Sequence, residues 1–230
     1  MSAGPQTDDD YAPFIAANTK LIAPPHVPEI RLHLAEESLP IWQKTEEELG
    51  EMNVPPPFWA FAWAGGQALA RYLLDSPHEV AGKAVLDLGT GSGLTAIAAM
   101  KAGAASALAA DIDRMALASV CMNATANGVS IVTTNEDLLD DLPQSFGAVL
   151  VGDLFYEREL AERVLAFVAA AQAKGARVLV GDPQRSYFPR DRFALVAEYE
   201  VSVTRELEDA LVKRTAVWAL NQKPRAEKKD

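Results

Sequence analysis

Apolar and polar positions alternate along this chain in two distinct rhythms from residue 83 onward. Short continuous apolar runs, typical of buried strands, occupy residues 84–88, 106–110, 129–133, 148–152 and 176–180. Longer stretches with helical character lie between them, at residues 94–101, 114–126 and 157–173, and glycine or Asn-Gly follows as a stop signal. This alternation predicts a parallel sheet with helices on both faces.

Two β-rich segments, at residues 193–204 and 211–220, complete the alternating region with no long helix between them. We therefore expect an antiparallel hairpin at one edge of the sheet. The predicted fold class is α/β: a Rossmann-like, doubly wound, mostly parallel seven-stranded sheet with an antiparallel C-terminal edge hairpin and an N-terminal cap extension. Ligands of such sheets bind at the carboxyl ends of the strands, so functional residues should cluster there.

The first part of the chain differs in pattern from the rest. Residues 1–11 are polar and acidic, which predicts disorder, and prolines interrupt the following stretch before a short strand at 30–34. A polar turn or short helix is expected at 45–49, then a connector at Pro55-Pro56-Pro57. Residues 58–74 are apolar with helical spacing, and the helix should end near 75–77. We predict a partly disordered N-terminal extension (1–55), one domain (56–222) and a disordered tail (223–230).

Composition narrows the possible partners. The 230 residues carry 32 acidic and 21 basic side chains, a net charge of −11. Such a surface repels nucleic acid and favours basic protein surfaces or cationic small molecules, although solubility alone also explains it. With a single cysteine and three scattered histidines, no metal site is predicted. We see no membrane-spanning run and no targeting peptide, so we expect a cytoplasmic monomer without a membrane or nucleic-acid partner.

The most informative motif is Asp-Leu-Gly-Thr-Gly-Ser-Gly, residues 87–93, directly after an apolar run. Gly89, Gly91 and Gly93 would let the backbone approach a ligand closely. Asp87 places negative charge where a pyrophosphate would sit, and Leu94 replaces the last glycine of the dinucleotide fingerprint. These features favour a cofactor with a cationic group, S-adenosylmethionine, whose methionine portion Asp87 would attract. A generic strand-to-helix turn is the alternative.

Acidic residues follow the next two strands. Asp111 ends the second strand and is expected to accept hydrogen bonds from both ribose hydroxyls, whereas Asp113 should cap the following helix. Asp137, after the third strand, is expected at the adenine amino group, or else it is a solvated loop carboxylate. Leu138 or Leu139 would pack on the adenine.

Residues 152–156, Gly-Asp-Leu-Phe-Tyr, follow the fourth strand and should face the reactive end of the cofactor. An acceptor nitrogen needs a hydrogen-bond acceptor to orient it and an aromatic wall to exclude water, so we predict Asp153 and Tyr156 as catalytic residues. Alternatively, Asp153 caps the helix that starts near 157 and Tyr156 only packs. Phe155 is predicted to contact the substrate.

Two further segments are candidates for the acceptor pocket. Asp182 follows the fifth strand and is predicted to contact the substrate, unless it only forms an Asp-Pro turn. Trp59 and Trp63 could close over the cofactor or grip a lysine chain. We predict that Trp59 contacts the substrate, and buried helix packing is the alternative for this residue. Trp63 precedes Gly65 closely, which suggests a close backbone approach there.

In the order of its motifs, the chain resembles a class I, seven-β-strand S-adenosylmethionine-dependent methyltransferase. These motifs are Asp87 to Gly93, Asp111, Asp137 and Asp153. The segments 58–75, 152–156 and 181–183 are similar to the lysine methyltransferases of the electron transfer flavoprotein β subunit. The resemblance spans residues 55–220 and makes 56–222 the methyltransferase domain. It implies S-adenosylmethionine as donor, a lysine of that flavoprotein subunit as acceptor, and cofactor binding by Trp63.

Other readings stay open at this stage. Asn123 and Asn127-Gly128 look like ribosomal-protein lysine methyltransferases, which usually carry Asn-Pro-Pro-Tyr where this chain has residues 153–156. A small-molecule N-methyltransferase is disfavoured by the acidic surface and the aromatic loop. Asp87 and Leu94 argue against an NAD(P)-binding oxidoreductase. A non-catalytic cofactor-binding module is the remaining alternative.

Overall fold

The computed structural model describes residues 11–35, 57–140, 145–203 and 212–221. Its helices are α1 Ala12–Asn18, α2 Ala64–Asp75, α3 Leu94–Lys101, α4 Arg114–Ala126 and α5 Arg158–Ala173. Its strands are β1 Lys20–Ile22, β2 Leu32–Leu34, β3 Ala84–Leu88, β4 Ser106–Ala110, β5 Val132–Thr134, β6 Ala148–Gly152, β7 Arg177–Asp182, β8 Phe193–Ser202 and β9 Val212–Leu220. Short 3-10 turns occur at Phe58–Ala60, Pro77–Glu79 and Arg190–Arg192.

One seven-stranded sheet forms the centre of the molecule, in the order β5-β4-β3-β6-β7-β9-β8. The strands β3 to β7 are parallel, and β9 runs antiparallel to both β7 and β8. The predicted α/β fold with its antiparallel C-terminal hairpin is therefore confirmed. Within the hairpin the second strand, β9, lies next to β7, which leaves β8 at the edge.

The two faces of the sheet bury alternate residues of the same strand. In β6, Ala148 and Leu150 pack with α2 and α3, whereas Val149 and Val151 pack with α5. Because successive side chains of a strand point to opposite faces, a strand covered on both sides reads as a continuous apolar run. This double burial explains the strand pattern of the sequence and leaves the carboxyl ends of the strands open for a site.

Several element boundaries differ from the prediction for local reasons. The third predicted strand starts late, at Val132, because residues 128–129 finish α4: Gly128 has φ +67° and the Val129 N–H donates to the Ala124 carbonyl at 3.1 Å. Residues 58–74 do not form one helix, since the chain is extended at Phe61 and Trp63 before α2 begins. The predicted cap is confirmed: Asp113 Oδ1 accepts the Met115 N–H at 2.8 Å.

Residues 11–35 pack against α4 as a short helix and a two-stranded sheet. Asn123 Oδ1 accepts the His33 N–H at 2.7 Å, and Asn127 bonds both backbone groups of Arg31. The predicted strand at 30–34 is β2, Leu32–Leu34. The predictions for residues 1–10, 45–49, 55–56 and 223–230 lie outside the described residues. Among the helices that the structure describes, none is long and apolar enough to cross a membrane.

Candidate active site

A cavity of about 630 Å³ opens at the carboxyl ends of β3, β4 and β6. It is lined by nine of the residues predicted from the sequence: Trp59, Trp63, Gly89, Gly91, Asp111, Asp137, Leu138, Asp153 and Tyr156. A volume of this size is typical of sites for small-molecule ligands. The remaining predicted residues, Asp87, Gly93, Phe155 and Asp182, do not line it.

Asp87 lies beneath the glycine-rich loop, with only 1% of its surface exposed. Its carboxylate accepts hydrogen bonds from the hydroxyls of Thr90 and Thr95 and from the Ala96 N–H. Burial raises the pKa of Asp87 to about 6, against the effect of these hydrogen bonds. The predicted cofactor-binding role of Asp87 is therefore corrected: the carboxylate is buried, and its hydrogen bonds join the loop to the start of α3.

Two glycines of the loop have different structural roles, one at the cavity wall and one at the start of α3. Gly91 adopts φ +52° at the cavity wall and donates its N–H to Asp111 Oδ2 at 2.9 Å. Gly93, with φ +81°, lies at the N-terminus of α3, where an added Cβ would come within 3.1 Å of the Val120 side chain. The predicted cofactor contact of Gly93 is thus corrected, because this glycine is needed for helix packing and lies away from the cavity.

Asp111 presents a fixed carboxylate to the cavity. The Gly91 and Asp113 N–H groups donate to its two oxygens at 2.9 and 3.0 Å. Burial raises the pKa of Asp111, and these two backbone hydrogen bonds act against that rise. A carboxylate has about four acceptor sites, so Asp111 can still accept hydrogen bonds from two neighbouring hydroxyls. The contact of Asp111 with ribose hydroxyls stays a prediction.

Asp137 and Leu138 line the cavity after the edge strand β5. Leu138 is 5% exposed and supplies an apolar surface. Asp137 is more exposed, and its oxygens bind the Leu139 N–H at 3.1 Å and Arg163 Nη2 at 2.9 Å. Asp137 is therefore held in place by the protein, and its contact with an adenine amino group stays a prediction.

Asp153 lies where β6 leaves the sheet, in the left-handed conformation with φ +58°. Its Oδ2 accepts the Gly66 N–H at 2.9 Å, and its Oδ1 accepts from Nε and Nη2 of Arg185 at 3.0 and 2.7 Å. Since α5 begins only at Arg158, Asp153 is not its N-cap. The carboxylate is 92% buried yet lines the cavity, as the sequence predicts for a residue that orients an acceptor.

A tight crossing of α2 over β7 places Asp153. An added Cβ on Gly65 would lie 2.2 Å from the Gly181 carbonyl oxygen and 2.5 Å from Asp153 Oδ2. Only glycine permits this separation, and the Asp153 N–H donates to the same carbonyl at 3.0 Å. The close backbone approach expected after Trp63 is therefore present at Gly65.

Aromatic side chains surround the acceptor end of the cavity. Trp63 donates its Nε1–H to the Phe58 carbonyl at 2.9 Å, and the Arg185 guanidinium lies 5.4 Å from the centre of its ring. Phe58 and Tyr156 are about half exposed at the mouth, with ring centres 6.2 Å apart. Trp59 is 1% exposed in the wall, and its Nε1 has no hydrogen-bond partner among the described residues.

The predicted substrate contacts of Phe155 and Asp182 are corrected. Phe155 is fully buried on the α5 face of the sheet, with its ring centre 5.3 Å from that of Phe188. Asp182 is also fully buried, and its Oδ1 accepts the Arg185 N–H at 2.7 Å in the turn that was the alternative interpretation. Burial and the nearby Asp153 charge raise the pKa of Asp182 to about 7.

Arg185 is the main residue of the site to which the sequence analysis assigns no role. It lies 32 positions from Asp153 in the chain, so no local motif joins the two. One feature of the sequence could have indicated it: Arg185 follows a predicted strand, at the same edge of the sheet where the other motifs place carboxylates. Within the described residues, no group of three or more His, Cys, Asp or Glu side chains could hold a metal ion.

Comparison with known proteins agrees with this geometry. The family described as ribosomal protein L11 methyltransferase (PrmA) matches residues 68–173. A crystal structure of magnesium protoporphyrin IX methyltransferase from Synechocystis PCC 6803 with bound SAM superposes with a TM-score of 0.51 and 16% identity, covering 68% of this chain and 78% of that one, and supports the fold alone.

Two curated relatives cover most of the chain. The electron transfer flavoprotein beta subunit lysine methyltransferase of Danio rerio is 34% identical over 225 residues, which are 95% of this chain and 86% of the relative. The protein of the same name from Rattus norvegicus is 37% identical over 199 residues, or 83% and 76% of the two chains. With this extent of similarity, the chain belongs to the family of electron transfer flavoprotein beta subunit lysine methyltransferases.

Proposed function

We propose that this protein is an S-adenosylmethionine-dependent protein-lysine N-methyltransferase that acts on the beta subunit of the electron transfer flavoprotein. The observation that carries the proposal is the cavity itself, which is lined by two fixed carboxylates, Asp111 after β4 and Asp153 after β6. One suits a ribose and the other an amine.

The residues present fit S-adenosylmethionine. Asp111 would hold the ribose hydroxyls, Leu138 would pack against the adenine, and the wall contains a buried indole N–H on Trp59 that lacks a partner within the described part of the chain. When bound, the cofactor supplies a methyl group on a cationic sulfur, so that the sulfur leaves as a neutral thioether. No metal is required for such a displacement.

The protein's own contribution is to position and desolvate the acceptor. Asp153 would accept a hydrogen bond from the amine and point its lone pair towards the methyl group, and such positioning contributes several kcal/mol. Tyr156 would enclose the methylene chain and exclude water. Removing a lysine from water favours its neutral form, which is the nucleophile. The proton leaves to water before transfer, so a permanent base is not needed.

A protein acceptor is supported by the mouth of the cavity. Phe58, Ile112 and Tyr156 are large apolar side chains that line the cavity and are 53%, 74% and 48% exposed. Exposed apolar residues grouped around a cavity are typical of a surface that contacts another protein. The names of the curated relatives identify the flavoprotein subunit as the candidate partner.

A ribosomal protein is the second candidate, because the matching family is described by its action on ribosomal protein L11. The sequence features that favoured it, Asn123 and Asn127, clamp residues 31–33 to α4 and are not among the residues that line the cavity. They therefore do not report on the acceptor. The flavoprotein subunit is the better supported choice.

The test is to incubate the protein with labelled donor and purified electron transfer flavoprotein, and separately with cell extract, and to identify labelled peptides by mass spectrometry. Asp153→Asn is the matched control. Label on lysines of the beta subunit would support the proposal, whereas label only on a ribosomal protein would favour the second candidate. Cytoplasmic location and a monomeric state remain predictions, which fractionation and size-exclusion chromatography test.

A further inference from the structure

The carboxylate that faces the acceptor is paired with a cation of the protein. Arg185 donates two hydrogen bonds to Asp153 Oδ1, and the two side chains are 17% and 8% exposed. The guanidinium also lies over the Trp63 ring at 5.4 Å. Charged hydrogen bonds of this kind in a low-dielectric site are strong and fix both partners. The carboxylate that faces the cavity therefore belongs to an ion pair with no net charge.

Backbone strain on both sides supports a functional role for this pair. Among the described residues, the non-glycine positions with positive φ are Asp153 at +58° and Gln184 at +64°, next to Arg185. Such conformations cost free energy and concentrate at functional sites. The Arg185 N–H is anchored to Asp182 Oδ1, and the Gly66 N–H binds Asp153 Oδ2. Both ends of the pair are thus held by the surrounding fold.

The charge of Arg185 matters because most of the other ionisable groups that line the cavity are acids, and the second lining arginine, Arg163, is paired with Asp137. Asp182 at the end of β7 and Asp111 at the end of β4 are carboxyls, and Tyr156 and Glu157 follow β6. From α2 the contact is the uncharged Gly66 N–H. Without Arg185 this end of the cavity would favour the ammonium form of lysine, whose nitrogen has no free lone pair for methyl transfer.

We propose that Arg185 is a positioning residue, which balances the charge of Asp153 so that the acceptor lysine is bound as the neutral amine. This inference rests on the proposed function. The ammonium proton passes to water, the nitrogen lone pair then forms the N–C bond, and the electron pair of the broken S–C bond stays on sulfur. Arg185 acts through Asp153 and takes no part in bond making.

The test compares the pH dependence of kcat for the wild type, Arg185→Gln, Arg185→Lys and the remote control Arg214→Gln, with the protein that the wild type labels as acceptor. A nearby cation lowers the pKa of a second cation by about 1–2 units. In Arg185→Gln the rising limb of kcat should therefore move upwards by about that amount, with a loss of about 10- to 100-fold at neutral pH that shrinks in alkali.

The KM for the acceptor should not rise in Arg185→Gln, and Arg185→Lys should keep a pH profile close to that of the wild type, as should Arg214→Gln. Thermal unfolding shows whether each variant folds. If Arg185→Gln does not fold, the pH profile of Arg185→Lys still tests the inference. An equal loss of kcat at every pH would overturn the inference, and so would faster turnover at neutral pH, which would mean that Arg185 blocks the pocket. If the wild type labels no protein, the proposed function itself fails; a labelled acceptor with an unmoved profile refutes only the role of Arg185.

Discussion

The adjacent glycines Gly65 and Gly66 should respond in opposite ways to the same substitution. Both lie in the first turn of α2, so the helix-propensity gain of a Gly→Ala change is similar at the two positions. An alanine Cβ at 66 would meet Leu94 Cδ2 at 3.9 Å, an ordinary contact, whereas at 65 it would lie 2.2 Å from the Gly181 carbonyl oxygen. We predict that Gly66→Ala is tolerated and Gly65→Ala is not.

The difference can be estimated from this geometry. Relief of the clash at 65 requires α2 and β7 to separate, and overpacking of this type costs about 1–3 kcal/mol. For a chain of 150–250 residues, 1 kcal/mol corresponds to about 2–4 °C in Tm. Gly65→Ala should therefore unfold roughly 2–12 °C below Gly66→Ala. The movement also displaces Asp153 Oδ2, which would lie 2.5 Å from the new Cβ, so kcat should fall.

Thermal unfolding followed by circular dichroism, together with methyl transfer at saturating donor, measures both effects. Gly66→Ala serves as the control because it changes the same helix by the same group. Equal Tm values for the two variants would refute the reasoning, since the clashes with Gly181 and Asp153 Oδ2 arise only at position 65. A stable Gly65→Ala protein with normal kcat would also contradict the placement of Asp153 by this crossing.

Three further predictions concern the acidic residues of the site. Asp153→Asn should reduce kcat by about 10²- to 10³-fold and leave the affinity for S-adenosylhomocysteine within about threefold; unchanged turnover in the labelling assay would exclude its catalytic role. Asp111→Ala should weaken that affinity by about 100-fold, because two hydrogen bonds to a charged group contribute about 1.5 kcal/mol each, and calorimetric titration measures this loss. Asp182 has a pKa raised from 3.8 to about 7 in the folded protein, so the folded state keeps a proton that the unfolded chain releases. The free energy of unfolding should then fall by up to about 4 kcal/mol as the pH rises from 3.8 to about 7. Urea unfolding of Asp182→Asn at several pH values should show a smaller fall in the free energy of unfolding than the wild type does. An identical fall would mean that the Asp182 carboxyl does not cause it.

The sequence predicts those parts of the fold and the site that depend on local pattern. Doubly buried strands and the Asp113 cap are local, and both are present. Phe155 and Asp182 were assigned to the substrate because they follow strands at the right edge. A motif does not show to which side of a loop each side chain turns, and burial against α5 or inside a turn decided both cases.

Contacts between distant segments could not be predicted from a single sequence. The pair of Asp153 and Arg185 joins the loops after β6 and β7, and the crossing of Gly65 and Gly181 joins α2 to β7. Each depends on the strand order, which places β7 beside β6. Most of the residues predicted for the cofactor line the cavity, since they follow one another from β3 to β5, and their contacts with the cofactor stay predictions. The acceptor half is assembled from three separate segments.

The structure also changes the reason why this loop excludes a dinucleotide. The sequence alone indicates that the Asp87 charge repels a pyrophosphate, but Asp87 is buried and hydrogen-bonded beneath the loop. Asp111 is the residue that excludes a dinucleotide. In dinucleotide-binding loops the backbone N–H groups bind phosphate, but here the Gly91 N–H donates to Asp111 Oδ2 instead. The same carboxylate thus occupies a phosphate-binding donor and, in the proposed function, would accept the ribose hydroxyls. With Asp153 paired to Arg185, the cavity would then combine a site for a nucleoside with a site for an uncharged amine.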